Sequence, residues 1–225
     1  MDILQRHEIF EIQVLETMNS ARLLDSLVFG GGTMLRLCHE LNRYSADLDF
    51  WFIKKIPHRV FLEKLTRTFE KGYEITDAHL KRRTLLVEIR GGGHSRRLKI
   101  EIRREKKTWD YQMKIAFSRF ATTQVLLRAH TLAQTLENKI EALLDRGEIR
   151  DAFDIEFILR RGTPLPVLPR EKVDALRKQA AGFKERDFKV TLGAVVERDA
   201  RVYYIENGFR YLLEKLEERE GSTDL

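Results

Sequence analysis

The stretch FGGGTMLRLCHELNRYSADLDFWF, Phe29 to Phe52, decides how this chain is read. Three glycines and a threonine stand ahead of a helical segment, and two aspartates then alternate through a run of large apolar residues. On a strand, Asp47 and Asp49 project from one face while Leu48, Phe50 and Phe52 fill the other. Two carboxylates that close repel each other unless a cation lies between them. Magnesium suits such a place, since it takes hard oxygen ligands and is held by a few carboxylates together with substrate phosphates; manganese is the alternative. Gly30 to Gly32 break a short strand, Ser26 to Phe29, and Gly31, Gly32 and Thr33 lead into a helix. Glycines let a backbone approach a phosphate closely, and a helix N-terminus offers free N–H groups. The spacing is neither that of a Walker A loop nor that of a dinucleotide fingerprint. Two readings stand open at this point: a tight turn with Thr33 capping the helix ahead of a half-buried strand, or a phosphate cradle facing a pair of metal ligands.

Further along, RLKIEIRR (Arg97 to Arg104) alternates Leu98, Ile100 and Ile102 inward and leaves Lys99, Glu101 and Arg103 on the opposite face. If this strand lies beside Asp47 to Ile53, Glu101 completes a three-carboxylate metal site; otherwise it is an exposed glutamate neutralised by basic neighbours. Trp51 is either core or a platform for a base. In LENKIEALLDRGEIRDAFDIEFIL, Lys139 falls on the edge of the apolar face formed by Leu132, Leu136 and Leu143, where a lysine snorkels or reaches toward an anion. Arg146 lies on the same flank. In the next helix Asp151 and Asp154 share a face at i, i+3, and Arg150 with Asp154 reads as a surface helix pair.

The 225 residues suffice for two lobes with a sizeable core. With 43% hydrophobic and 34% charged residues and four prolines, the composition is that of a globular chain. No apolar run approaches a membrane span and the first residues lack a signal pattern, so no membrane partner and a cytoplasmic location are expected. The single cysteine, Cys38, agrees with a reducing compartment. A net charge of +6 and a pI near 9.4 point toward an anionic partner such as nucleic acid.

Periodicity predicts helices at residues 2–19, 33–41 and 57–71, and strands at 26–29, 47–53, 74–78, 84–89 and 97–103, the last two joined by a turn at Gly91 to Gly93. Beyond about residue 125 the pattern is helical throughout, with helices at 131–145, 150–160, 170–180 and 202–218 and a proline-rich connector, Gly162 to Arg170. The expected class is α+β: a mixed sheet with flanking helices over residues 1–125, then a helical lobe over 126–225.

At these residues the chain resembles the AbiEii/AbiGii-type nucleotidyltransferases, relatives of the DNA polymerase β-like superfamily best known as toxins of toxin–antitoxin and phage-defence operons. Gly31, Gly32 and Thr33 match the family's glycine-glycine-serine/threonine loop, Arg43 and Ser45 match residues ahead of its D-x-D, and Asp47 and Asp49 are that D-x-D. Glu101 stands where the superfamily places a third strand carboxylate, often an aspartate. Lys139 matches the lysine of the helical motif, and Arg150, Asp151 and Asp154 its RD…D element. The resemblance spans residues 28 to 160. It implies that the loop, with Arg43 and Ser45, binds a nucleoside triphosphate, that Asp47, Asp49 and Glu101 hold magnesium, and that Lys139 neutralises the triphosphate from the helical lobe. Asp154 either positions Lys139 or acts on the acceptor. The function implied is transfer of a nucleotide to RNA, foremost the 3′ end of tRNA, by a toxin opposed by a separate antitoxin. Transfer to a protein hydroxyl and a non-catalytic nucleic-acid or partner-binding module are the alternatives.

Overall fold

The computed structural model describes residues 1–91, 93–105 and 107–221, with side chains as far as residue 218. The expected turn residue Gly92 and the basic residue Lys106 lie outside the described residues. The chain divides into two compact units, one comprising Met1–Glu40 and Tyr44–Thr131, the other Leu41–Arg43 and the residues from Leu132 onward. The division falls after Thr131 rather than at 125 because one more strand, unexpected from periodicity, belongs to the first unit.

The first unit is built on a seven-stranded mixed sheet ordered β3-β4-β5-β2-β1-β7-β6. Its strands are β1 (Leu27–Gly30), β2 (Asp47–Phe52), β3 (Tyr73–Leu80), β4 (Thr84–Gly91), β5 (Leu98–Arg103), β6 (Tyr111–Phe117) and β7 (Gln124–His130). The central strand β1 is buried at every position, as a short apolar run flanked on both sides must be. It pairs antiparallel with β2 and parallel with β7. Strand β2 pairs in parallel with β5, and the crossover between them runs through helix α3 (His58–Phe69) and the β3/β4 hairpin.

Helix α1 (Ile3–Ser20) begins with a reciprocal cap, in which Asp2 accepts from the Gln5 N–H at 2.8 Å and Gln5 Oε1 accepts from the Asp2 N–H at 3.1 Å. Helix α2 (Gly31–His39) packs on β1, β2 and β6, and ends at Glu40, which takes the left-handed conformation at φ 58°.

Strand β7 corrects the expectation of helix throughout after residue 125, and its partner β6 falls where no element was expected. Their period-2 signal is masked because the outward face is apolar as well: Met113, Ile115 and Leu126 are exposed, while Ala116, Val125, Leu127 and Ala129 are buried. Trp51 proves to be core. Its ring lies 5.7 Å from Trp109 and 4.7 Å from His130, and it is 7% exposed.

The second unit holds α4 (Leu132–Arg146), α5 (Ile149–Arg160), α6 (Arg170–Gly182), a π-helical turn (Asp187–Leu192), α7 (Arg198–Asn207) and α8 (Arg210–Gly221). The single helix expected over 202–218 is two. Gly208 sits at φ 55°, its N–H closes on Tyr204 O, and the break turns Phe209 into a cluster with Phe183, Phe188 and Tyr204. Glu156, fully buried on α5, ties these helices together: it accepts from Arg160, from the Tyr204 hydroxyl at 3.0 Å and from the Leu212 N–H at 2.9 Å. None of the helices among the described residues is long and apolar enough to cross a membrane.

Burial, reinforced by the charge of Lys107, lowers His130 from 6.5 to about 4, so its ring is neutral inside the aromatic cluster. A histidine depressed in the folded state contributes stability that is complete above 6.5 and lost as pH falls toward 4. Denaturant unfolding between pH 7.5 and pH 4.5 is expected to show a loss on the order of 2–3 kcal/mol from this residue. In His130→Phe, which keeps the ring packing, that component of the slope disappears.

Candidate active site

Asp47 and Asp49 reach one face of the sheet because β2 alternates as its apolar residues demand: Leu48, Phe50 and Phe52 are buried and the two aspartates are partly exposed. Strand β5 alternates likewise, and the parallel register sets Asp47 opposite Lys99 and Asp49 opposite Glu101. The third carboxylate therefore lies on the neighbouring strand, on the face the sequence assigns to it. Among the described residues no three acidic, histidine or cysteine side chains close into a ready-made metal cage. The cation seated between the carboxylates is Lys99, whose Nζ lies 3.0 Å from Asp47 Oδ2 and 3.6 Å from Glu101 Oε2. Burial works to lower its pKa, but the bond to Asp47 and the charges of Asp47, Glu101 and Asp49 together raise it. The oxygen donor set fits a hard divalent ion, and the position of Lys99 marks where positive charge is favoured.

The glycine turn meets this site directly. Gly30 pairs with Asp49 across β1 and β2, and Gly31 takes φ 75°, a conformation that favours glycine. A Cβ on Gly31 would stand 2.3 Å from Asp49 Oδ2, so only the missing side chain allows the helix start to lie against the carboxylate. Gly30 is the last residue of β1 and the N-cap of α2, so Gly31 and Gly32 belong to the helix rather than to a break before it. Thr33 does not cap the helix. Its hydroxyl donates to Asp47 O at 2.6 Å, tying the first turn of α2 to the head of β2.

A second tie was not legible in the sequence. His7 Nε2 donates to Ala46 O at 3.0 Å, fixing the residue before Asp47 from the side of α1. Burial holds His7 neutral, and burial with the charges of Glu8 and Asp47 pushes Glu11, 3.6 Å away, well above the usual carboxylate range. Glu8 is ionically paired with Arg36 at 2.8 Å and accepts from Ser118 at 2.6 Å. The signal was the HExxE spacing, His7, Glu8 and Glu11, on the side of α1 that also carries Phe10, Val14 and Leu15. Ser45 is partly buried just ahead of β2.

The remaining expected residues form a network of their own in the second unit. Asp154 is fully buried and accepts from Arg43 Nε and Nη2, both at 2.6 Å, and from Lys139 Nζ at 2.6 Å. Lys139 also reaches Asp151 Oδ1 at 3.0 Å, and Asp151 accepts from Arg146 at 2.7 and 2.9 Å. Burial opposes ionisation of Asp154, yet Arg43 and Lys139 overcome it and hold its pKa below the ordinary value. The expected surface pair of Arg150 with Asp154 is not formed, because Asp154 faces inward and Arg150 pairs with Glu148 at 2.7 Å. The anions met by Lys139 and Arg43 are thus the chain's own aspartates.

The family model described as the AbiEii nucleotidyl transferase toxin of a type IV toxin–antitoxin system matches residues 13–218. Among solved structures, JHP933 from Helicobacter pylori aligns with a TM-score of 0.54 and 20% identity over 100% of this chain and 97% of its own. A candidate nucleotidyltransferase from H. pylori aligns with a TM-score of 0.58 and 20% identity, over 97% of this chain and 98% of its own. No curated protein sequence matches. With the family model covering most of its length, the chain belongs to the AbiEii nucleotidyl transferase toxin family, and it is a nucleotidyltransferase.

Three substitutions test the geometry without reference to turnover. Asp154→Ala strands two buried cations and is expected to cost about 3–5 kcal/mol in chemical denaturation, more than Asp151→Ala, whose partner Arg146 is half exposed. Gly31→Ala forces an unfavourable φ and a clash with Asp49; its crystal structure is expected to show the Asp49 carboxylate displaced, with stability lower by about 1–3 kcal/mol.

Proposed function

We propose that this chain transfers a nucleoside monophosphate from a nucleoside triphosphate to a hydroxyl of RNA, foremost the 3′ end of tRNA, and that it is the toxin of a pair opposed by a separate antitoxin. The observation that carries the reading is the contact of Gly31 with Asp49, which brings a helix N-terminus against a carboxylate that itself faces Glu101. A triphosphate at the N-terminus of α2 meets backbone N–H groups and the positive end of the helix dipole. Its α-phosphorus is then next to the three carboxylates. Support for RNA is electrostatic: residues 1–131 hold 24 of the 41 Lys and Arg but only 16 of the 35 Asp and Glu.

In the reaction, the acceptor hydroxyl oxygen forms a bond to the α-phosphorus, the bond to the bridging oxygen of the β-phosphate breaks, and pyrophosphate leaves. The hydroxyl proton passes to a carboxylate of the site or to water. Asp47, Asp49 and Glu101 would hold magnesium, which when bound would neutralise the charge that develops in the transfer. Thr33 and His7 fix the backbone at Asp47 and Ala46, so the carboxylates are positioned before substrate arrives. Lys99 supplies resting neutralisation of Asp47 and Glu101, which limits their mutual repulsion. Asp154, with no exposed surface and two cations bonded to it, is a positioning residue for Lys139 and Arg43 rather than a group that touches the acceptor. Lys139 is, as the family resemblance implies, a residue that neutralises phosphate charge. Arg43 is held by Asp154 within the helical unit, and Ser45 stands two residues ahead of Asp47.

The experiment is transfer from each of four α-labelled nucleoside triphosphates, with magnesium or manganese, into total cellular RNA and total protein. Label is expected in small RNA with the native chain and is expected to fall by at least about 100-fold in Asp47→Asn/Asp49→Asn. Label confined to protein would replace the RNA acceptor with a protein hydroxyl. Label in neither fraction, with RNA still bound, would leave a binding module and overturn the catalytic reading.

A further inference from the structure

Strands β2 and β5 run in parallel, so the chain leaves both at the same end of the sheet, and the β3–β4 turn comes to that end as well. Four short segments converge there: Lys54 and Lys55 after β2, Arg59 in the first turn of α3, Lys81, Arg82 and Arg83 in the turn, and Lys107 after β5. All seven side chains are exposed. Arg104 pins the segments together. Its Nη1 donates to Lys81 O and, at 3.1 Å, to Arg82 O; its Nε donates to His58 Nδ1 at 2.8 Å; and its backbone N–H donates to Arg83 O at 2.9 Å.

Cations gathered this way repel one another, whereas three exposed arginines elsewhere in the unit are relieved by acids: Arg90 by Glu74, Arg97 by Glu88 and Arg119 by Glu40. Among the described residues Lys54, Lys55, Lys81, Arg82 and Arg83 have no such partner. A fold that spends a half-buried arginine on holding unpaired cations side by side has a surface suited to a polyanion. Lys54 lies five residues beyond Asp49 along β2, roughly 15 Å away. That separation equals a few base-pair steps of a nucleic-acid helix.

We infer that this basic end of the sheet is a docking surface for the phosphate backbone of an RNA stem whose 3′ end lies at the carboxylates. The inference rests on the RNA reading given above. The stem's phosphates sit on Lys54, Lys55 and the Lys81–Arg83 turn, and positive charge at this end supplies affinity and register without reading bases. Lengthening an RNA from a few single-stranded nucleotides to a full stem therefore adds phosphate contacts here.

The test uses the full-length protein and two charge reversals in separate segments, Lys54→Glu/Lys55→Glu and Arg82→Glu/Arg83→Glu, with thermal unfolding confirming that each is folded. Binding of an RNA stem with a 3′ overhang is measured from 50 to 300 mM salt. Each variant is expected to bind at least about 10-fold more weakly at low salt, with a log–log salt slope shallower by one to two. Binding of a four-nucleotide single strand and of a nucleoside triphosphate is expected to stay unchanged. Native affinity and slope in both variants overturn the inference while leaving the RNA reading in place, and failure of the native chain to bind any RNA overturns both. Reversal-sensitive binding of polyglutamate tighter than that of the stem would also overturn it, in favour of an acidic protein.

Discussion

The pairing of β2 with β5 is the constraint on which the first unit depends. Parallel strands need a crossover, and here it consists of α3 and the β3/β4 hairpin, which then extend the sheet beyond β5. The register of that one pairing places Asp49 opposite Glu101 and Asp47 opposite Lys99. A slip by one residue would turn these carboxylates into the core and bring Leu48 and Ile100 out. The apolar faces of both strands forbid the slip, so the same burial that stabilises the sheet also fixes the geometry of the charged face.

Much of this was legible in the chain because it follows from periodicity. The D-x-D strand, the alternation of LKIEI and the amphipathic helices all announce themselves, and the family motif joins Gly31, Gly32, Thr33, Asp47 and Asp49 into one site. What was hidden depends on contacts that have no local signature. Thr33 looks like a cap, but its hydroxyl finds Asp47 O across a loop. Lys99 is legible as a basic neighbour of Glu101, but its nearer partner, Asp47, is fixed only by a parallel register. The β6/β7 hairpin escaped because Met113, Ile115 and Leu126 put apolar residues on the open side as well. The helix expected over 202–218 runs across Gly208, where the chain breaks and Phe209 turns into an aromatic cluster.

The two units treat buried charge in opposite ways. Under the head of β2, burial keeps His7 and Glu11 neutral, while Glu8 carries an ion pair with Arg36. In the helical unit the buried aspartates are matched by cations: Asp154, held ionised by Arg43 and Lys139, and Asp151, bonded to Lys139 and Arg146. Such a network adds little net stability over an apolar core but tolerates few rearrangements, since any one loss strands a charge. Arg43 extends this rigidity to the three residues Leu41–Arg43, which pack with the helices although their sequence neighbours on both sides belong to the sheet unit.

The pairing of Phe29 with Ala129 has a consequence on the timescale of protein synthesis. Strand β1 emerges from the ribosome early, yet its second neighbour, β7, follows only after another hundred or so residues, which take on the order of 5–20 s to translate. Through that interval a wholly apolar strand, already carrying the glycine turn, has one open edge. A chain released before β7 holds every carboxylate of the sheet but leaves one edge of β1 unpaired, which is an aggregation hazard.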